Sequence, residues 1–468
     1  MANSKDVPLA ELPIEKVLKL ALQRHKEGQL KEAEELYNSV IAHDPRQAHA
    51  IHMLGVIAHQ RGNNKIAVEL ISRALSIAPN QAAAQCNLGL SLRDLGRLEE
   101  AVQCYQRALS IAPSFSPAYF NQGIALHELG RLDEARTSYQ NAAELTPDNA
   151  DTHLNLGNTL LDLGLIEDAA KSYRNALAIQ PNNDTAQLNL GVALQEMGEL
   201  ESALSVFQAS NSKLALYKQL SCLIAFGEYD RFYELLKSGA EDCGSDLRAA
   251  AASAFISHQL GRPDPHPFCR SPVEFIRTYE DLAKSDNGAI IQELLAYVET
   301  LNAVWEPLGK TTKSGFQTRE NIFQNPTGPM EQLERILRGK IEEYRTEFSE
   351  EDCDFITRFP KDIQFNGWLV RLVQGGHQTE HMHAEGWLTG TFYLQVPKFS
   401  DQEEGAIEVG LWGHDYPILN ENYPKHRYYP KAGSLILFPS SLFHATIPFH
   451  SDEERLSISF DVVPSRVQ

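Results

Sequence analysis

Close cysteine pairs and positive charge are both scarce in this sequence. Its six cysteines are scattered over 468 residues with no Cys-x-x-Cys spacing, which argues against a zinc knot or a disulfide framework and predicts reduced thiols in a cytoplasmic protein. Lys and Arg number 42 against 62 Asp and Glu, a net charge of −20. An acidic chain repels phosphate backbones, so nucleic acid is not an expected partner, and a neutral or cationic peptide fits the charge better.

Long apolar segments are also missing. No apolar run approaches the roughly 20 residues that a membrane-spanning helix needs, and residues 1–12 are polar, without the apolar region of a secretory signal. We therefore expect no membrane partner. The hydrophobic content of 43% and charged content of 22% are those of globular protein. A length of 468 residues exceeds what one hydrophobic core supports and indicates two or three domains.

The first part of the chain is an array of repeats with a period of about 34 residues. A Gly, usually after Leu, recurs at Gly55, Gly89, Gly123, Gly157 and Gly191. Each unit also repeats an alanine, at Ala33, Ala67, Ala101, Ala135, Ala169 and Ala203, and four residues later an aromatic residue or isoleucine. A mid-unit glycine marks a turn between two helices, and a proline ends the second helix in the first five units because it cannot donate a helical hydrogen bond. The pattern resembles the tetratricopeptide repeat family, and it predicts an all-α solenoid of six repeats over residues 14–217, the last one degenerate.

An asparagine recurs once per repeat, two residues before the repeated glycine, at Asn87, Asn121, Asn155 and Asn189. A regular row of amides can hold the backbone of an extended peptide without recognising its side chains. The row resembles the asparagine ladder in the repeats of protein O-GlcNAc transferases, which implies that a protein or peptide partner binds the concave face. The alternative is that asparagine is simply common at this repeat position.

The middle of the chain keeps a helical pattern but loses the 34-residue register. We predict an irregular helical extension over residues 218–303, with helices around Val273–Lys284 and Ala289–Val298. Residues 329–348 form an amphipathic pattern typical of a helix that supports a sheet.

From residue 363 onward, apolar residues alternate with others, as at Trp368, Val370 and Leu372. Several such short segments, separated by Gly, Pro and Asp turns, predict a β-barrel or sandwich. The sequence therefore predicts a multidomain α + β protein, with an N-terminal all-α solenoid and a C-terminal β domain with buttressing helices over residues 304–468.

Three histidines in this β segment are candidate metal ligands. His381 and His383 are two residues apart, so on a strand they point the same way and can converge on one ion. His444 would complete the set from a distant strand. Three imidazoles, or two and a carboxylate, leave open positions on an octahedral metal for a cosubstrate and O2. The alternative is a group of unrelated surface histidines.

Arg455 follows on the next predicted strand, with Ser457 on the same strand face. A buried guanidinium beside a hydroxyl suits the distal carboxylate of a dianion. The alternative is an arginine that pairs with Asp452, Glu453 or another nearby acid.

Taken together, the Gly-x5-Pro-x4-His block that ends at His444, the following Arg455-x-Ser457 and the earlier His381-x-His383 resemble double-stranded β-helix (jelly-roll) oxygenases that use Fe(II) and 2-oxoglutarate. The resemblance covers about the last third of the chain. It implies His381 and His444 as Fe(II) ligands and Arg455, with Ser457, as the 2-oxoglutarate site.

The sequence departs from the family pattern at the second ligand position. Most such oxygenases carry His-x-Asp, whereas His383 stands here at the carboxylate position. We favour His381, His383 and His444 as the metal ligands and catalytic centre, and Glu385 is the alternative carboxylate ligand.

The resemblance implies a 2-oxoglutarate-dependent dioxygenase that hydroxylates a protein or peptide substrate recruited by the solenoid. Two other functions stay open at this point. One is a cupin-type metalloenzyme that does not use 2-oxoglutarate, since the block before His444 also resembles that superfamily. The other is a non-catalytic scaffold for protein–protein interaction.

Overall fold

The computed structural model describes residues 13–210, 212, 214–238, 246–280, 282, 288–307, 310–398, 403–413 and 416–465. The chain divides into two compact units, Met1–Ser212 and Lys213–Gln468. The predicted domain boundaries at 217/218 and 303/304 both fall inside the second unit, and they stay a prediction. Residues 466–468 of the last predicted domain lie outside the described residues. Among the described residues, no helix combines the length and the apolar character needed to cross a bilayer.

The first unit consists of consecutive helix–turn–helix pairs, which confirms the predicted solenoid of six repeats. The helices are α1 Ile14–Lys26, α2 Leu30–His43, α3 Ala48–Gln60, α4 Asn64–Ile77, α5 Ala82–Asp94, α6 Leu98–Ile111, α7 Ser116–Glu128, α8 Leu132–Leu145, α9 Ala150–Asp162, α10 Ile166–Ile179, α11 Asp184–Glu196 and α12 Leu200–Ala209.

Glycine has two structural roles in each repeat. The turn glycine adopts a left-handed φ, 74° at Gly130 and 72° at Gly164, which ends the first helix at low conformational cost. The helical glycine lies under an aromatic ring of the second helix of its own repeat. A Cβ on Gly157 would be 2.5 Å from the ring of Tyr173, so only glycine allows this close helix packing. The glycine period of the sequence is therefore a packing requirement of the solenoid.

The second unit starts with another helix pair, α13 Ala215–Ala225 and α14 Tyr229–Ser238, and continues with the helices Leu247–Leu260, Ala289–Val298, Pro329–Glu347 and Asp354–Thr357. The prediction of a helix around Val273–Lys284 is wrong, because Pro272–Phe275 form a 3-10 turn and Arg277–Tyr279 form a strand. This strand pairs with a distant strand, Leu435–Pro439, and a pairing so remote in sequence overrides the local helical pattern.

Ten strands build the β part of this unit within the described residues. They are β1 Arg277–Tyr279, β2 Ala303–Trp305, β3 Thr312–Thr318, β4 Ile363–Gln378, β5 Leu388–Gln395, β6 Ile407–Gly410, β7 Lys425–Tyr428, β8 Leu435–Pro439, β9 Phe443–Thr446 and β10 Arg455–Pro464. They form a seven-stranded sheet in the order β1-β8-β5-β10-β4-β3-β2 and a three-stranded sheet in the order β7-β6-β9, and every pairing is antiparallel. The predicted combination of an α solenoid and a C-terminal β domain is confirmed.

The two faces of the large sheet have different partners. On one face, alternate residues such as Ile458 and Phe460 join a core with Leu333 and Leu337 of the helix Pro329–Glu347. On the other face, Phe438 contacts His444 of the small sheet, with ring centroids 5.0 Å apart. The helices thus cover the outer face, and the inner face of the large sheet looks onto the small sheet.

Candidate metal centre

The structure brings His381, His383 and His444 together in one cluster. Their candidate ligand nitrogen atoms all lie within 4.8 Å of one another, and the ring centroids are 4.2, 4.9 and 5.0 Å apart. A single ion could contact all three imidazoles. The predicted convergence of three histidines from two distant parts of the chain is therefore present in the structure.

Backbone pairing sets the positions of two of these residues. The His381 amide donates to the His444 carbonyl at 3.1 Å, and the His444 amide donates to the His381 carbonyl at 2.8 Å. This isolated antiparallel bridge ties the segment after β4 to β9, across the two sheets. His383 follows two residues later, just before the turn that leads into β5.

Hydrogen bonds on Nδ1 orient two of the rings. Nδ1 of His383 lies 2.6 Å from Oδ1 of Asp461, and Nδ1 of His381 lies 2.7 Å from the carbonyl oxygen of Thr379. A carboxylate and a carbonyl only accept, so Nδ1 carries the proton in both rings. Nε2 of each ring then carries the lone pair that can bind a metal ion, and in His381 this atom lies 3.5 Å from the Thr311 hydroxyl.

Burial favours the neutral form of two of the three histidines, His381 and His444. Desolvation, with a smaller effect of His383, lowers the pKa of His381 to about 3. Desolvation also holds the pKa of His444 well below its usual value, assisted by the two neighbouring imidazoles. Neutral imidazoles are the form that binds metal ions, so the environment of the cluster favours coordination over protonation.

Arg455 is buried, 2% exposed, at the start of β10. Its Nη2 donates to the Tyr393 hydroxyl at 3.3 Å, while its Nε has no hydrogen-bond partner. Within the described part of the chain it forms no ion pair with Asp452, Glu453 or any other acid. Burial lowers the pKa of this guanidinium, and a buried cation without an anion is energetically costly.

A polar stripe follows the inner face of β10, because residues two apart share a face. Arg455, Ser457, Ser459 and Asp461 are all buried. Asp461, at one end, contacts His383 of the cluster, and Arg455 is at the other end. The stripe therefore runs from the imidazoles to the unpaired guanidinium, in a core whose outer face is apolar.

A cavity of 420 Å³ opens beside the imidazoles, a size in the range of small-molecule sites. Its lining includes His381, His383, Met382, Trp368 and Lys310. The indole ring of Trp368 lies 5.2 Å from the ring of His383, and its buried Nε1 has no hydrogen-bond partner. The cavity thus gives a molecule from solvent access to the cluster.

Family comparisons agree with this geometry. Residues 366–461 match the family described as "Putative 2OG-Fe(II) oxygenase", and they include all three histidines and Arg455. Models of the tetratricopeptide repeat match residues 24–88, 82–115, 104–137, 123–164 and 157–198. The chain joins tetratricopeptide repeats to a 2OG-Fe(II) oxygenase family domain. A search of curated proteins found no match to the chain.

Solved structures similar to part of the chain include several tetratricopeptide proteins. YrrB, described as a TPR protein with an unusual peptide-binding site, is 23% identical, with 40% of this chain and 98% of YrrB covered at a TM-score of 0.36. PilF of Pseudomonas aeruginosa is 21% identical, with 45% and 97% covered at a TM-score of 0.37. MamA is 21% identical, with 34% and 94% covered at a TM-score of 0.32.

Glu385, the alternative metal ligand, lies apart from the histidine cluster. Its side chain is 92% exposed, and its carboxylate is 3.9 Å from a guanidinium nitrogen of Arg248. The chain turns immediately after His383, which directs Glu385 to the rim of the cavity. The carboxylate that does contact the cluster, Asp461, was not singled out from the sequence. Asp461 continues the alternation along β10 that places Ser457 on the same strand face as Arg455. This alternation is the feature of the sequence that could have identified Asp461.

The four asparagines of the tetratricopeptide array, Asn87, Asn121, Asn155 and Asn189, are half-buried. Nδ2 of Asn87 lies 2.9 Å from Nε2 of His52 in the preceding repeat. Nδ2 of Asn189 donates to Oδ1 of Asn158 at 2.8 Å, and Asn121 donates to a carbonyl one turn earlier at 2.7 Å. Nδ2 of Asn121 also donates to Sγ of Cys86 at 3.9 Å, so the row of amides is partly engaged in contacts within the array. Binding of a peptide to this row stays a prediction.

Proposed function

We propose that the C-terminal domain is an Fe(II)- and 2-oxoglutarate-dependent oxygenase whose metal ligands are His381, His383 and His444. One observation supports this most strongly: a buried guanidinium without a counter-ion, Arg455, lies on the same inner sheet face as the residue that contacts the imidazole cluster. A metalloenzyme without an anionic cosubstrate has no use for that charge. A carboxylate of a dianion would pair with it and remove the energetic cost of its burial.

Different residues of the domain would bind the metal ion and the cosubstrate. Nε2 of His381 and of His383 would face the metal, since their Nδ1 protons are held by other groups. Arg455 would bind the distal carboxylate of 2-oxoglutarate, with Ser457 beside it and the Tyr393 hydroxyl against its Nη2. When bound, Fe(II) and 2-oxoglutarate supply the oxidising chemistry, in which O2, the cosubstrate and a substrate C–H group give succinate, CO2 and a C–OH group.

Apolar side chains on the inner face of β4, together with Phe449 from the segment after β9, would keep water from this reaction. Val370, Leu372 and Phe449 are at most 2% exposed and form a small cluster with Trp368. An apolar surface that excludes water strengthens the pairing of Arg455 with a carboxylate, because the local dielectric constant is low.

We further propose that the substrate is a protein or peptide held by the tetratricopeptide array. Arrays of this kind bind partners along an extended concave surface. A substrate bound there would reach a high effective concentration at a catalytic domain on the same chain. The amides of Asn87, Asn121, Asn155 and Asn189 would bind its backbone, which is compatible with several sequences.

Turnover by the full chain tests this function. Iron-loaded protein is incubated with 2-oxoglutarate, O2 and a synthetic peptide library, and succinate is measured together with peptide mass gains of one oxygen atom. We expect both products, and neither from His383→Ala. A chain that binds metal and oxidises peptides without consuming 2-oxoglutarate would indicate the cupin-type enzyme, and a chain that binds no metal would indicate the scaffold.

Substrate recruitment has its own control. Asn155→Ala combined with Asn189→Ala should raise the KM for peptides while leaving the rate of uncoupled 2-oxoglutarate turnover unchanged. An unaltered KM would contradict binding at the amide row.

A further inference from the structure

We propose that Asp461 is a positioning residue of the metal centre. In this inference it fixes the ring of His383 and places a negative charge beside a ligand set that contains none. The inference rests on the metal-binding part of the proposed function and does not depend on the identity of the substrate.

The contact between the two residues is short and shielded from water. Nδ1 of His383 and Oδ1 of Asp461 are 2.6 Å apart, and the two side chains are 10% and 9% exposed. A hydrogen bond to a carboxylate in such surroundings is stronger than a neutral one and less screened than at the surface. It allows only the tautomer that carries the proton on Nδ1, so Nε2 of His383 is left as the coordinating atom.

Neighbouring hydroxyl groups hold the side chain of Asp461 in place. The Thr389 hydroxyl donates to Oδ1 of Asp461 at 2.9 Å, and the hydroxyls of Thr389 and Ser440 are 2.7 Å apart. Gly386 leaves room for this network, because a Cβ there would lie 2.8 Å from Oγ of Ser440 and 3.0 Å from Cβ of Asp461. The carboxylate thus has a fixed position on β10, 78 residues from the histidine that it orients.

Charge explains why such a residue is needed. Three neutral imidazoles leave the full charge of a divalent cation uncompensated in a buried site, whereas a His-x-Asp site neutralises part of it through a ligand. In this chain His383 stands at that ligand position, and the negative charge lies one hydrogen bond further out, on Asp461. Outer carboxylates of this kind raise the basicity of the ligand histidine, and losing one weakens metal affinity by about 10- to 100-fold.

Cobalt(II) titration of the full chain, followed by visible absorption, tests the inference. Asp461→Asn keeps the shape and an acceptor oxygen but removes the charge, and we expect about 10-fold weaker binding with a shifted absorption spectrum at saturation. Asp461→Ala removes both, and we expect about 100-fold weaker binding. Asp452→Asn is the matched control, since it removes an exposed carboxylate three residues before β10; its affinity and spectrum should equal those of the unaltered chain.

Thermal unfolding of the metal-free variants separates positioning from simple support of the fold. Asp461→Asn should melt close to the unaltered chain and still bind cobalt more weakly. Equal affinity and equal spectra in both Asp461 variants would overturn the inference and leave the proposed function standing. Failure of the unaltered chain to bind cobalt would instead overturn the metal centre itself.

Discussion

Replacing Arg455 with methionine should stabilise the fold of the metal-free protein while strongly weakening its affinity for 2-oxoglutarate. The guanidinium is buried, forms no ion pair among the described residues and donates a hydrogen bond to the Tyr393 hydroxyl. Methionine has a similar length and no charge to desolvate. Removing an uncompensated buried charge outweighs the loss of one hydrogen bond and of the cation–π contact with the Tyr393 ring, whose centroid is 5.1 Å from Cζ of Arg455. We therefore expect a gain of about 1–2 kcal/mol in the free energy of unfolding.

The same substitution should weaken the binding of 2-oxoglutarate, and this loss of binding free energy is larger than the gain in the free energy of unfolding. Loss of one partner from a buried, hydrogen-bonded charge pair costs about 2–5 kcal/mol. At 1.4 kcal/mol per tenfold change, this lowers the affinity for 2-oxoglutarate by roughly 30-fold to several thousand-fold. A more stable fold combined with weaker binding of 2-oxoglutarate is the result expected for a buried arginine whose role is to bind a ligand.

Two assays measure these effects: urea unfolding without metal, and calorimetric titration of 2-oxoglutarate into anaerobic Fe(II)-loaded protein. Arg371→Met is the matched control. Arg371 lies opposite Leu456 on the outer side of β4 and forms ion pairs with Glu299 and Glu454, so its loss should leave 2-oxoglutarate affinity unchanged and should not raise stability. Unchanged 2-oxoglutarate affinity in Arg455→Met, or a marked loss of stability, would refute the reasoning.

Three further predictions concern the ligand set, the solenoid and a buried acid. His444→Ala should lose bound metal on gel filtration, whereas Glu385→Ala should retain it; metal analysis of the eluted protein distinguishes the two. Gly157→Ala should destabilise the solenoid by about 1–3 kcal/mol because its Cβ would lie 2.5 Å from a tyrosine ring. Gly339→Ala, at an exposed position of the helix Pro329–Glu347 with open space around it, should instead stabilise the protein by about 0.5–1 kcal/mol in chemical unfolding. Burial raises the pKa of Asp264 from 3.8 to about 6, so between these values the folded chain holds a proton that the unfolded chain releases, and stability falls as pH rises through that window. Asp264→Asn should remove about 1.4 kcal/mol of this fall between pH 5 and pH 8, measured as unfolding free energy at the two pH values.

Local periodicity was enough to predict much of the fold. The glycine and alanine period of the repeats reflects contacts between helices that are adjacent in sequence, as between Gly157 and Tyr173, so a single sequence contains the information. The alternation around Trp368 and Leu456 likewise reports the two faces of a sheet. The spacing of His381 and His383 and the block that ends at His444 were sufficient to group the three imidazoles, which the structure brings together. That Arg455 belongs to the same site stays a prediction.

Features that depend on distant pairing could not be predicted in the same way. The three-residue strand β1 exists because Arg277–Tyr279 lie along β8, and nothing local distinguishes it from a helix end. The contact of Asp461 with His383 joins residues 78 apart through the pairing of β10 with β5. The exposure of Glu385 follows from a turn whose direction the spacing His-Ala-Glu does not determine.

An anaerobic titration with Fe(II) and then 2-oxoglutarate, followed in the visible range, tests the joint use of the imidazole cluster and the guanidinium most directly. A weak charge-transfer band should appear only when both are present, at one equivalent of each per chain. The band should be absent in His444→Ala and should need far more 2-oxoglutarate in Arg455→Met. A chain that shows no band, or a band of equal 2-oxoglutarate dependence without Arg455, would contradict a shared site for the imidazoles and the guanidinium.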